Sequence, residues 1–165
     1  MAFIGNQIIT LNSLLDLDSQ ELVLDADADT TIHVSTDEQL DFKVAGSDKL
    51  VISSTSHLVT TTAGTSNLVL GENAGNSIAS GGNYNVLIGD EAGTAITTGD
   101  FNVAVGFEAL KTEDAHGKNI AIGYQALKVL DAGAEGFNTV IGYQAGVSMN
   151  TGTVNTIIGH KQEMH

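Results

Sequence analysis

The sequence predicts an all-β fold, and two patterns carry that prediction. The first is a repeated phrase, Asn-x-x-[Ile/Val/Leu]-Gly, in five near-copies and a weaker sixth. The copies start at Asn67, Asn85, Asn102, Asn119, Asn138 and Asn155, with spacings of 18, 17, 17, 19 and 17 residues. A near-fixed period this short marks a solenoid, in which each repeat is one coil stacked on the last. The second is the period-two alternation of residues 22–44, where Leu22 and Leu24, then Ile32 and Val34, then Leu40, Phe42 and Val44 alternate with mostly polar neighbours. That spacing belongs to half-buried strands.

Glycine locates the division between the two regions. Residues 1–60 hold only Gly5 and Gly46, and the other 17 glycines lie beyond. The expected organisation is a β-rich region over residues 1–60, a threonine-rich joint at 61–66, and a solenoid of about six coils over 67–165. In the first region Ala45-Gly46-Ser47-Asp48 reads as a turn before Leu50-Val51-Ile52. Ile8, Ile9, Leu11, Leu14, Leu15 and Leu17 fit neither period, so a short helix or an extended tail is expected before residue 20.

Within each repeat, the second and third residues after asparagine are apolar in every copy. Neighbouring strand side chains point to opposite faces, so both faces need cover. One coil offers one interior, and another subunit is the economical source of the second. Leu70, Ile88, Val105, Ile122, Ile141 and Ile158 are therefore expected in core or trimer packing, and a homotrimer is expected. The glycines that follow, Gly71, Gly89, Gly106, Gly123, Gly142 and Gly159, read as coil corners, where a missing Cβ permits positive φ or close backbone approach. Ala74, Ala92, Ala109, Ala126 and Ala145 follow three residues later and suggest a narrow interior. Asparagines in register suit either a hydrogen-bonded ladder or a turn role. Six rungs at ~4.8 Å make a rod about 24 Å long.

Composition narrows the function classes. The formal net charge is −14, with six lysines and no arginine. Arginine is the usual reader of phosphates and base edges, so nucleic-acid binding is not expected. Absence of cysteine excludes disulfides, thiol catalysis and cysteine-ligated zinc. No stretch approaches ~20 apolar residues, so no membrane insertion is expected. Met1-Ala-Phe-Ile-Gly5 lacks a basic segment and a long apolar run, so no signal peptide is expected.

Asp25, Asp27 and Asp29 suggest a calcium loop. An EF-hand beginning there needs glycine where Thr30 stands and glutamate where Thr36 stands. The alternation suits the wet face of a strand, with a weak divalent site between chains as the alternative. The five histidines, His33, His57, His116, His160 and His165, have no paired ligand spacing; one of them meeting its symmetry mates on a trimer axis is a second metal alternative. No metal and no cofactor are expected. Glu91, Glu108, Glu113 and Asp114 form no recognisable catalytic spacing, and there is no phosphate loop or nucleophile elbow, so no catalytic residue is assigned and no enzyme is expected.

Aromatic residues recur at two places. Tyr84, Phe101 and Phe137 precede an asparagine; Phe107, Tyr124 and Tyr143 follow a glycine. Stacked, they would pack on one another or seal corners. Phe107, Tyr124 and Tyr143 are also candidate surface-binding residues, as a stacking strip for host sugars.

Asn119-Ile-Ala-Ile-Gly-Tyr-Gln-Ala-Leu127 and Asn138-Thr-Val-Ile-Gly-Tyr-Gln-Ala-Gly146 resemble the "NTAIGYQAL" repeats of tailed-bacteriophage tail fibres. They are also similar to the "NSVAIG" head repeats of trimeric autotransporter adhesins. The resemblance covers about residues 67–160. It implies homotrimers, β-helical or β-roll shafts and host-surface attachment. With no signal peptide, stalk or membrane anchor expected, the chain is closer to the phage pattern. The expectation is a virion structural protein assembled in the host cytoplasm, a short tail fibre or fibre segment in host attachment and receptor binding. Its expected partners are other virion proteins of tail or capsid, and a host cell-surface glycan or protein. The alternatives are a head fibre or capsid decoration protein and a depolymerase subunit. Residues 1–60 are expected to face the virion, with Leu14, Leu15 and Leu17 as docking candidates, and the coils to project outward. The polar finish Lys161-Gln-Glu-Met-His165 would blunt an exposed solenoid end.

Overall fold

A computed structural model describes residues 22–36, 39–52 and 58–160. Leu14, Leu15 and Leu17, the element before residue 20 and the Lys161–His165 finish lie outside the described residues. Among those described, the chain is all-β, with no helix. The chain divides into two compact units at Ser56/His57.

The first unit holds β1 (Leu22–Val23), β2 (Thr31–Thr36), β3 (Gln39–Val44) and β4 (Ser47–Ile52), each antiparallel to the next. Ala45 and Gly46 make the β3–β4 turn with φ of +51° and +68°, the left-handed pair a two-residue hairpin requires. Ile32, Phe42 and Leu50 lie across from one another and are half-buried. The deeper face is the other one: Thr31, Asp41 and Val51 are buried.

The second unit begins with β5 (Leu58–Thr60) and continues as a solenoid. Its rungs are β6 (Leu68–Leu70), β7 (Val86–Ile88), β8 (Val103–Val105), β9 (Ile120–Ile122), β10 (Thr139–Ile141) and β11 (Thr156–Ile158). Each pairs parallel and in register with the next, so Val69, Leu87, Ala104, Ala121, Val140 and Ile157 form one column. That middle column points inward, fully buried from Leu87 to Val140. The first and third residues point outward. Leu70, Ile88, Val105, Ile122, Ile141 and Ile158 therefore do not line the coil. They stand on its outer face, half-buried in the middle rungs and, at Leu70 and Ile158, 45% and 75% exposed.

The asparagines explain this parity. Asn85, Asn102, Asn119 and Asn138 are no more than 1% exposed. A side chain two residues later shares the asparagine's face, so the middle residue is inward and its neighbours are not. The buried amides form a ladder. Each Oδ1 accepts the backbone N–H of the next asparagine, from Asn67 to Asn155, at 2.8–3.4 Å. The Nδ2 groups of Asn67, Asn85 and Asn138 donate to the carbonyls of Gly82, Gly99 and Gly152 at 2.8–2.9 Å. Without these partners, each buried amide would lose its water at a cost of ~1–3 kcal/mol.

The corner glycines are needed because successive coils nearly touch there. They adopt φ from +125° to +141°. A Cβ on Gly71, Gly89 or Gly106 would lie 2.5–2.7 Å from backbone carbonyl atoms of the glycine one coil on. Ala74, Ala92, Ala109, Ala126 and Ala145 complete the inner wall, all buried.

The position after each alanine is left-handed in every coil, whether it holds Gly75, Gly93, Leu110, Leu127 or Gly146. Occupancy follows volume. Where the rung supplies Leu87, the corner is Gly93, whose added Cβ would meet Leu87 Cδ2 at 2.8 Å. Where the rung supplies only Ala104 or Ala121, the corner supplies Leu110 or Leu127, both fully buried. Each coil thus fills the same interior from one side or the other, as close packing demands.

This exchange predicts a compensating pair. Leu110→Gly alone should lower stability by about 2–4 kcal/mol through the cavity it opens. Ala104→Leu alone should cost about 1–3 kcal/mol by overpacking. The double variant recreates the Leu87/Gly93 arrangement and should recover at least half of the combined loss in chemical denaturation. Simple additivity of the two losses would refute the exchange.

Candidate functional site

The outer face of the six-rung sheet is the most unusual surface of the solenoid. Its twelve outward positions carry ten aliphatic residues and two threonines, and no charge. An aromatic-rich column borders it on each side, because the residues flanking Asn and Gly stack along the same period.

On one border stand the residues before each asparagine: Ser66, Tyr84, Phe101, Lys118, Phe137 and Val154. All adopt φ between +50° and +63°. Tyr84 and Phe101 stack at 5.0 Å between ring centroids, and Lys118 Nζ lies 5.2 Å from the centre of the Phe137 ring. On the other border stand the residues after each glycine: Glu72, Asp90, Phe107, Tyr124, Tyr143 and His160. Phe107, Tyr124 and Tyr143 form a continuous stack with centroids 5.4 and 5.1 Å apart and planes within 18°. The six aromatic residues are 39–59% exposed. The structure thus brings the predicted strip together and sets the second aromatic set opposite it across the sheet.

A polar ladder lies one residue further on. Glu108 accepts from Lys111 and Lys128, both at 2.6 Å, and from Gln125 Nε2 at 2.7 Å. Lys111 also pairs with Glu91, and Gln144 Nε2 donates to Gln125 Oε1 at 2.8 Å. The lysine bonds, Lys111 first, hold the Glu108 carboxyl down at about 2.

By sequence, Glu113 stands with Glu91, Glu108 and Asp114 as carboxylates without a catalytic spacing. The structure buries it completely. Counted from the corner glycine, it occupies the place held by Ile78, Ile96, Leu130 and Met149 in the other coils. Its Oε1 accepts from the His116 backbone N–H at 3.2 Å and faces His116 Nδ1 at 3.3 Å. Its Oε2 accepts the Ala132 N–H at 3.0 Å and so staples the third coil to the longer loop of the fourth. Burial raises its pKa. The signal available beforehand was positional: a glutamate aligned with four aliphatic residues.

Glu113, Asp114, His116 and Asp131 bring ligand-type atoms within 4.8 Å of one another, as do Asp25, Asp27 and Asp29. In the first group the Glu113 oxygens are already engaged as described. In the second, Asp25 Oδ1 accepts the Asp29 and Thr30 N–H groups at 3.2 and 3.3 Å, and hydrogen bonding, first of all from the Thr30 side chain, lowers the Asp25 pKa. An open cavity of about 330 Å³ lies at the last coil, lined by Met149, Ile157 and His160 among others.

The raised Glu113 pKa has a definite sign. The folded state holds this proton more tightly than the unfolded chain, so the contribution is fully present below the ordinary value of 4.5 and is lost as pH rises through the raised value. Glu113→Gln cannot titrate. Between pH 4 and 7.5 the midpoint of the parent chain should fall relative to that of the variant in thermal unfolding. A constant or opposite difference would refute the assignment. Compared with known protein families, curated proteins and solved structures, the chain matches none.

Proposed function

We propose that this chain is a virion structural protein, a short tail fibre or fibre segment that acts in host attachment as a homotrimer. The observation carrying the reading is the uncharged outer sheet face, repeated through six rungs between aromatic borders. Soluble monomers rarely expose apolar patches beyond ~300–600 Å². Six aromatic side chains of 150–250 Å² each, about half exposed, leave on the order of 600 Å² before the aliphatic residues are added. That approaches the ~800 Å² per partner of a standard stable interface.

The two borders lie on opposite sides of the face, so copies packed parallel about an axis along the stack bring unlike borders together. The number three rests on the resemblance of the repeats to phage fibre and adhesin heads. Host contact then falls on surfaces left outside the trimer, presented several times over, so weak contacts gain avidity. Residues 1–60 supply the non-repeating surface for docking to other virion proteins. No catalytic role is proposed.

Ile122→Asp places a charge on the outer face, whereas Ala121→Asp places one inside the coil. Ile122→Asp should convert the trimer to single copies while keeping a β-rich circular dichroism spectrum. Ala121→Asp should lose the spectrum as well. Native mass spectrometry reads the first outcome, and a wild-type chain of single copies would sink the architecture. Electron microscopy of intact particles with a labelled chain tests the virion location: label on tail fibres supports the reading, label on the head favours a capsid fibre, and no label on particles rejects both. Release of reducing sugar from host polysaccharide would instead support a depolymerase.

A further inference from the structure

The two borders have different occupants at the same rungs. We propose that they are the two halves of one seam between copies of this chain, packed parallel and side by side, rung against rung. This rests on the trimer reading above and goes beyond it by assigning the residues that meet.

Copies arranged cyclically about an axis along the stack are related by rotation alone, with no step along that axis. The residue before Asn on one copy therefore lies level with the residue after Gly of the same rung on the next. The pairs so formed are chemically matched. Phe101 meets Phe107 in the third rung, and Phe137 meets Tyr143 in the fifth, giving aromatic pairs. In the fourth rung the sole cation of either border, Lys118, meets Tyr124, an arrangement suited to cation–π attraction. In the second, the Tyr84 hydroxyl meets the Asp90 carboxylate, a donor facing an acceptor.

Exposure supports the assignment. All six rings are well exposed in the single chain, and the fold does not require aromatic residues at these places, since Ser66, Lys118 and Val154 occupy equivalent positions on one border and Glu72, Asp90 and His160 on the other. A two-fold pair whose axis crosses the stack would instead match each border with itself in reverse. Charge favours the same face. Copies of a chain with net charge −14 repel one another, and the six strands between the borders carry no ionisable residue.

The natural chain has no cysteine, so introduced pairs report without background. The experiment uses the full-length chain with Phe101→Cys and Phe107→Cys, singly and together, oxidised and run on a non-reducing gel. Within one chain the two sites flank a three-residue strand, six positions apart. That spans roughly 15–20 Å, beyond the ~7 Å limit of a disulfide between Cα atoms. The double variant should give covalent two- and three-chain species in most of the material, and neither single variant should give any. The pair Phe137→Cys and Tyr143→Cys should behave alike, which guards against loss of folding at one rung. Cross-linking of a single variant would show that like borders meet and overturns the seam. Double variants that stay uncross-linked while native mass remains three copies also overturn it and leave the trimer standing; the Phe107–Tyr143 border is then open, as a sugar-stacking strip requires. A wild-type mass of one copy overturns the trimer reading and the seam together.

Discussion

Five asparagine carbonyls set the geometry of the coil stack. An amide side chain in a dry interior must find all its partners inside the protein. Here the partner of each Oδ1 is the main chain of the next asparagine, one coil away. That bond fixes the phase of every coil against its neighbour. It also dictates which rung residue points inward and brings the corner glycines into near contact. The residue before each asparagine is held left-handed at the same point, although Tyr84, Phe101 and Phe137 have no intrinsic preference for that region. Strain is tolerated there because coil stacking and the amide ladder over-determine the backbone.

Much of this architecture can be read directly from residues 67–160. The period locates every rung within a residue, and the glycine and alanine columns announce corners and a narrow bore. The outward direction of the third rung residue is harder to see, because Val, Leu and Ile occupy both inner and outer places. Parity becomes legible only once the asparagine is taken as buried, and its polarity argues the other way. Interior volume was hidden for a related reason. Leu110 and Leu127 look like ordinary helix or strand residues, yet they hold left-handed corners that glycine holds elsewhere. The exchange is visible only when Ala104 and Ala121 are compared with Leu87 and Val140. Glu113 follows the same logic: alone it is one acid among twenty, but in its column it replaces an aliphatic residue.

The first unit was legible in its pairing more than in its faces. Alternation marks β2, β3 and β4 and the hairpin at Ala45-Gly46, because period and turn chemistry are local. Which face lies deeper depends on what packs against the sheet. Burial of Thr31 and Asp41 in preference to Ile32 and Phe42 runs against hydrophobicity, so a reading based on hydrophobicity has no means of finding it.

The direction of the hydrogen bonds has a mechanical consequence. They run along the stack, so tension applied between its ends would load the coil interfaces in series. Each interface bears the whole force, and added coils lengthen the rod without toughening it. The weakest junction governs rupture. The longest backbone contact in the amide column, 3.4 Å from the Asn138 N–H to Asn119 Oδ1, is backed by a 2.9 Å bond from Asn138 Nδ2 to the same oxygen. A lateral contact running the length of the rod would instead be strained in shear, with every rung sharing the load at once. A stack of this kind resists pulling in proportion to its height only when something grips its side.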